Sequence, residues 1–164
     1  MKYFGGIDTG KSGGSAVLDR KGKLVDSMHS EDRKDVIEFL KKWSKKDVFF
    51  RVEKNNAMPM QGVVSMFTFG GYCHGVLWCL DTLGIAYEEV RPQYWQKRLL
   101  IPPRKKKKVL NKKLKKKTWK FVESPPEFKK RLAKEARKRF PKDDIHDNVA
   151  DAVLIAEGCR RELK

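Results

Sequence analysis

Two apolar runs joined by a glycine-rich turn, the first ending on an acid, constrain this chain more than any other stretch. Tyr3-Phe4-Gly5-Gly6-Ile7 runs into Asp8, Gly10, Gly13 and Gly14 follow, and a second apolar run spans residues 16–18. The pattern predicts a strand, a tight turn and an antiparallel strand, with Asp8 at the exposed end of the first. An acid so placed suits a metal ligand, and later acids are weighed by whether they reach it.

Other motifs overlap the same residues. Residues 5–12 fit G-x-x-x-x-G-K-[ST], the phosphate-cradling loop, which needs a helix starting at its Lys-Ser. Here Lys11-Ser12 leads into Gly13-Gly14, a poor helix start, and then a strand-like run. Asp8-Thr9-Gly10 also has the form found in aspartic proteases, whose paired aspartates flank an apolar cleft; the very basic remainder gives that no support. An Asp that merely opens a hairpin is the plain structural alternative.

The 164 residues suit one domain, 1–164, with a proper core. The net charge of +17 is concentrated: residues 101–140 hold 18 Lys/Arg against three Glu, and the rest is nearly neutral. A polyanion is the natural partner, with nucleic acid ahead of an anionic membrane. Cys73, Cys79 and Cys159 lack zinc-type pairing and suggest core thiols in a reducing, intracellular compartment. The first strand begins almost at Met1, so no signal peptide is expected, and no apolar run is expected to span a bilayer.

Along the chain, residues 23–29 read as a third strand and residues 33–44 as an amphipathic helix carrying Val36, Ile37, Leu40 and Trp43. Residues 47–53 form a buried fourth strand ending on Glu53. Were it parallel to the first, Asp8 and Glu53 would share the sheet edge where open α/β sheets keep their sites. Residues 61–83 form a long apolar helix rich in glycine, read first as a core helix in close backbone packing and second as a dimer interface. Phe67, Phe69 and Tyr72 are read first as core; the alternative is an aromatic wedge toward nucleic acid, with Phe67 and Phe69 as candidates. A fifth strand (85–90), a short helix after Arg91, and a basic helix (127–140) with Leu132, Ala136 and Phe140 inward complete the pattern.

Between these lies a Lys-rich arm or loop at about 102–124, expected to be extended and mobile. Arg104, Lys105, Lys106, Lys107, Lys108, Lys112, Lys113, Lys115, Lys116 and Lys117 are its candidate phosphate contacts. The last helix, 143–156, places Asp147 and Asp151 at i and i+4 on one face. Exposed acids would explain that pair without function, but with Asp8 and Glu53 they make a four-carboxylate set suited to Mg²⁺ or Mn²⁺.

The chain resembles the RuvC-type Holliday junction resolvases, most closely the phage and viral forms, within the ribonuclease H-like superfamily. Residues 6–10, Val52-Glu53-Lys54 leading to 57–63, Phe67-Thr68-Phe69-Gly70, residues 90–97 and residues 146–152 carry the resemblance. It implies an α/β, ribonuclease H-like fold, a five-stranded mixed sheet flanked by helices. It also implies a homodimer that nicks four-way DNA junctions symmetrically, leaving 3′-hydroxyl and 5′-phosphate ends. Two divalent ions, roughly 4 Å apart, would be bridged by Asp8 and held by Glu53, Asp147 and Asp151. Lys11 and Lys54 would help hold the scissile phosphate. Many such resolvases space the last two ligands at i and i+3, which would fall on Asn148, and His146 is a further candidate in that helix. Alternatives are another ribonuclease H-like nuclease, acting on RNA–DNA hybrids or flaps, and an inactive junction-binding protein. The arm also has the form of a bipartite nuclear localisation signal, so cytoplasm and nucleus both stay open.

Overall fold

The computed structural model describes residues 1–10, 13–29, 32–54, 62–111 and 116–164. Short apolar runs, buried on both faces in β1, β2 and β4, set the sheet: β1 (Tyr3–Asp8), β2 (Gly14–Asp19), β3 (Leu24–His29), β4 (Val48–Glu53) and β5 (Ala86–Val90). Their order is β3-β2-β1-β4-β5. β1 pairs antiparallel with β2 and parallel with β4, and β4 pairs parallel with β5. This is the five-stranded mixed sheet that the sequence predicts. β2 starting at Gly14 also excludes a phosphate-cradling loop, since a strand stands where that motif needs a helix.

Two cores sandwich the sheet. On one face, Ile7, Val17, Phe50 and Val52 pack against α1 (Arg33–Trp43) and the buried positions of α2 (Val63–Thr82). On the other, Ala16, Leu18 and Val90 pack against α3 (Pro92–Arg98), α4 (Pro125–Arg139) and α5 (Ala150–Leu163). α5 lies directly on β1 because Gly6 leaves room: a Cβ there would sit 2.1 Å from the Ala152 carbonyl oxygen and 2.5 Å from the Ala156 nitrogen.

Three expectations need correction. The Lys-rich segment, expected as a mobile arm or an extended loop, carries regular structure: β6 (Lys106–Asn111) and β7 (Lys116–Phe121) form a separate antiparallel ribbon. Cross-strand aromatic–lysine pairs supply the side-chain contacts that a lysine run lacks by itself. Secondly, α2 is no core helix. Among the described residues, only Val76 and Leu80 of this helix are buried, Phe67 is 83% exposed, and nothing lies within 4 Å of a Cβ built at Gly70, Gly71 or Gly75. With a mean hydropathy of 1.4 over 18 of its 20 residues, α2 is also long and apolar enough to cross a bilayer by length and composition, contrary to the expectation. Val76 and Leu80 nevertheless seat it on the sheet. Thirdly, α5 begins at Ala150, so Asp147 precedes it in a turn rather than sharing a helical face with Asp151.

The cysteines are unpaired, Cys159 buried and Cys73 and Cys79 half-buried.

Candidate active site

The parallel register of β1 and β4 sets Ile7 opposite Val52, so Asp8 and Glu53 end their strands at the same edge. Both fall on the α5 side, one position beyond residues that face the other core. Asp151, in the first turn of α5, joins them there because the helix rests on Gly6. Burial raises the proton affinity of all three carboxylates, and the charge of Asp151 adds to it at Asp8 and Glu53. Burial, then the charge of Asp151, pushes Asp8 up to about 7. Burial, then Asp8, pushes Glu53 up to about 8, and burial pushes Asp151 up to about 6. Among the described residues, Oδ1 of Asp151 is buried without a hydrogen-bond partner.

Two residues that the sequence does not place here serve this site: Trp95 has no assigned role, and Lys129 counts only among residues 129–139, expected to grip the junction arms. The Trp95 indole on α3 donates to Glu53 Oε2 at 2.9 Å, favouring the ionised form. Lys129 on α4 places a positive charge near all three acids and lowers each one's pKa. Trp95 lies in a stretch that the resemblance covers, but no spacing rule links an indole to an acid 42 positions earlier. Nothing in the basic run singles out Lys129.

The other candidates are placed differently. Asp147 is 60% exposed and pairs with Arg137, away from the three acids. His146 is exposed, 3.8 Å from Asp144, and Asn148 lies 3.3 Å from a ring nitrogen of His29. Lys54 pairs with Glu89 at 3.3 Å on the rim of the same edge. Thr9 donates its hydroxyl to the Glu53 backbone carbonyl at 3.2 Å, tying the two strand ends together. Phe67 is exposed and Phe69 half-buried in a cavity shared with Thr9, Glu53 and Lys54. Lys105, Lys106, Lys107, Lys108 and Lys117 are exposed along the ribbon, and Arg104 lies over the Phe121 ring. Lys11, Lys112, Lys113 and Lys115 lie outside the described residues, and Lys116 contributes its backbone to β7.

Among the described residues, no three His, Cys, Asp or Glu side chains are drawn together tightly enough to hold an ion as the chain stands. The donors nonetheless fit a hard divalent cation in kind. They are buried carboxylates, two of them raised further by a neighbouring acid that a cation would offset, and one of them has a buried oxygen with no hydrogen-bond partner among the described residues.

T. thermophilus RuvC in complex with a Holliday junction substrate superposes with a TM-score of 0.61, covering 95% of this chain and 91% of that one at 15% identity. The chain has the RuvC fold. A second Thermus thermophilus RuvC structure matches at a TM-score of 0.58 and 16% identity, covering 95% and 92% of the two chains. No family model matches the sequence, and no curated protein matches it. The RuvC likeness thus lies in the backbone path, and the carboxylates at its sheet edge are read from this chain's own geometry.

Proposed function

We propose that the chain is a RuvC-type endonuclease that cuts four-way DNA junctions in a divalent-metal-dependent reaction. The observation that carries this is the gathering of Asp8, Glu53 and Asp151 at one sheet edge, with Asp151 Oδ1 buried and unpartnered among the described residues. Its support in fold is the superposition on RuvC bound to a Holliday junction.

Asp8, Glu53 and Asp151 would hold the metal, Mg²⁺ or Mn²⁺ by their hard oxygen donors, with two ions proposed for each site. Divalent ions in such a set lower the pKa of a bound water and offset charge building on a phosphate. The chain's own residues do the rest. The Trp95 N–H orients the Glu53 carboxylate and favours its ionised form against the burial that raises its pKa. Thr9 holds the two acid-bearing strand ends in register. Lys129 offsets the acids' repulsion and can meet an incoming phosphate from the α4 side. Lys105, Lys106, Lys107, Lys108 and Lys117 on the ribbon, with the basic residues of α4, hold DNA backbone, so affinity falls steeply with salt.

A homodimer is part of the proposal. The exposed face of α2 carries Val63, Val64, Phe67 and Trp78, the last 71% exposed, beside glycines with open space around them. A second copy covering that face would set two cutting sites about a twofold axis, as paired nicks on opposing strands require.

The test is cleavage of labelled four-way junction, linear duplex and RNA–DNA hybrid in Mg²⁺ and in EDTA, with Asp8→Asn alongside. Paired metal-dependent nicks on the junction, lost in the variant, are expected. Cutting of the hybrid alone would move the substrate, and binding without cutting in either metal would remove the enzyme.

A further inference from the structure

β6 and β7 carry a feature that phosphate binding does not explain. Trp119 and Phe121 stand two residues apart on β7, so both project from one face of the ribbon. Their cross-strand partners are Lys108 and Lys106, which therefore stand on that same face. The Lys108 ammonium lies 5.3 Å from the Trp119 ring centroid and the Lys106 ammonium 4.6 Å from that of Phe121. The Arg104 guanidinium covers Phe121 more closely, at 3.4 Å. Even so, Trp119 is 65% exposed and Phe121 47%.

The ribbon is held firmly at its root. Arg131 on α4 bonds the Pro102 and Pro103 carbonyls at 3.0 and 3.2 Å on the incoming side. It also pairs with Glu123 on the outgoing side at 2.9 and 3.0 Å. The aromatic face is thus presented on a braced support beside a stretch, residues 104–120, that contains no acid.

We infer that Trp119 and Phe121 stack on unpaired bases of DNA, with Arg104, Lys106 and Lys108 gripping the adjoining backbone. The inference rests on the nucleic-acid reading above and deepens it by naming what the ribbon reads. Charge complementarity selects a polyanion, and flat aromatic faces among cations suit an exposed base, since every base has a π-face. Lys and Arg alone could read a paired major groove, but base edges there are read chiefly by hydrogen-bonding groups and leave the exposed rings of Trp119 and Phe121 without a use. Here the described part of that face offers rings and ammonium groups. The substrate it fits is branched DNA with bases unpaired at the crossover.

The test uses the full chain carrying Asp8→Asn, so that no substrate is cut. Affinity for labelled oligothymidine and for blunt duplex of equal length is measured over a salt series, with Trp119→Ala, Trp119→Phe and Lys108→Gln added in turn. Trp119→Ala is expected to weaken oligothymidine binding about tenfold, with duplex binding and the salt slope unchanged. Trp119→Phe should restore part of the loss. Lys108→Gln should weaken both ligands and flatten the salt slope by about one ion, as removal of a single phosphate-binding cation requires. If Trp119→Ala weakens duplex and single strand equally, or neither, the inference fails and the ribbon is a polycation or groove reader. Should that variant misfold, quenching of the Trp119 emission by oligothymidine, taken as wild type minus Trp119→Phe, decides the point, and no quenching overturns it. A wild-type chain that stacks oligothymidine yet leaves junctions uncut would sink the nuclease and leave this inference standing.

Discussion

The indole of Trp95 donates to Glu53 at 2.9 Å, and its ring is 1% exposed in the core behind the site. The bond opposes the burial and neighbouring charge that push Glu53 upward. Trp95→Phe keeps a ring in place and removes the donor. A hydrogen bond to a charged group contributes roughly 1.5–3 kcal/mol. Mg²⁺ affinity should therefore fall about tenfold or more, and further at pH 6.5 than at pH 8.5 because Glu53 then holds its proton more firmly. Calorimetric titration of Mg²⁺ at both pH values checks this; wild-type affinity at both would deny Trp95 its positioning role.

Without metal, stability should decline as pH rises. Asp8, Glu53 and Asp151 have folded pKa values of about 7, 8 and 6, raised from 3.8, 4.5 and 3.8. Between the unfolded and folded values the native chain holds protons that the unfolded chain has lost. This contribution is fully present below about pH 4 and is gone once pH passes about 8. Asp8→Asn should therefore stabilise the metal-free protein at pH 8, by roughly 1–2 kcal/mol after allowing for partial exposure, and have little effect at pH 4. Mg²⁺ should stabilise the wild type more at pH 8 than at pH 6. Urea titrations in EDTA and in Mg²⁺ provide the measurement, and a melting point that climbs from pH 5 to 8 in EDTA would contradict the cluster.

Gly6 permits the contact that brings Asp151 to Asp8. The atoms a Cβ would strike belong to the α5 backbone, which cannot rotate away as a side chain can. Gly6→Ala should cost about 3 kcal/mol or more by lifting the helix. Because the lift separates the acids, cleavage should fall at temperatures where the variant is still folded. A variant with wild-type stability would show that α5 lies elsewhere.

The strands and their acids were legible because the relevant signals are local. Apolar runs at residues 3–7 and 48–52 end on Asp8 and Glu53, and a parallel pairing puts both at one edge. α2 was misjudged because it is apolar on nearly every side, so periodicity cannot tell which side is covered. The ribbon was missed because Lys106–Lys108 has no alternation of its own; its order depends on Trp119 and Phe121 across the strand and on the Arg131 clamp. The start of α5 was missed because an acid pair at i and i+4 fits a helix and a preceding turn equally well. Here the Val149 N–H bonds the His146 carbonyl, which closes a turn just before Ala150.

That turn also sets the two acids of the last segment in different surroundings. Asp151 is half-buried, faces Asp8 and Glu53 electrostatically, and has an unpartnered oxygen. Asp147 is solvent-facing and tied to Arg137, whose Nε also holds the Ile145 carbonyl at 3.0 Å. An exposed ion pair of this kind contributes at most about 1 kcal/mol. Asp151→Asn should thus lower junction cleavage more than a hundredfold, and Asp147→Asn less than tenfold with a small loss of stability. Single-turnover cleavage by both variants at saturating Mg²⁺ measures the difference. Equal, severe losses would mean that Asp147 swings from Arg137 to the acid cluster when metal binds, making the site a four-carboxylate one.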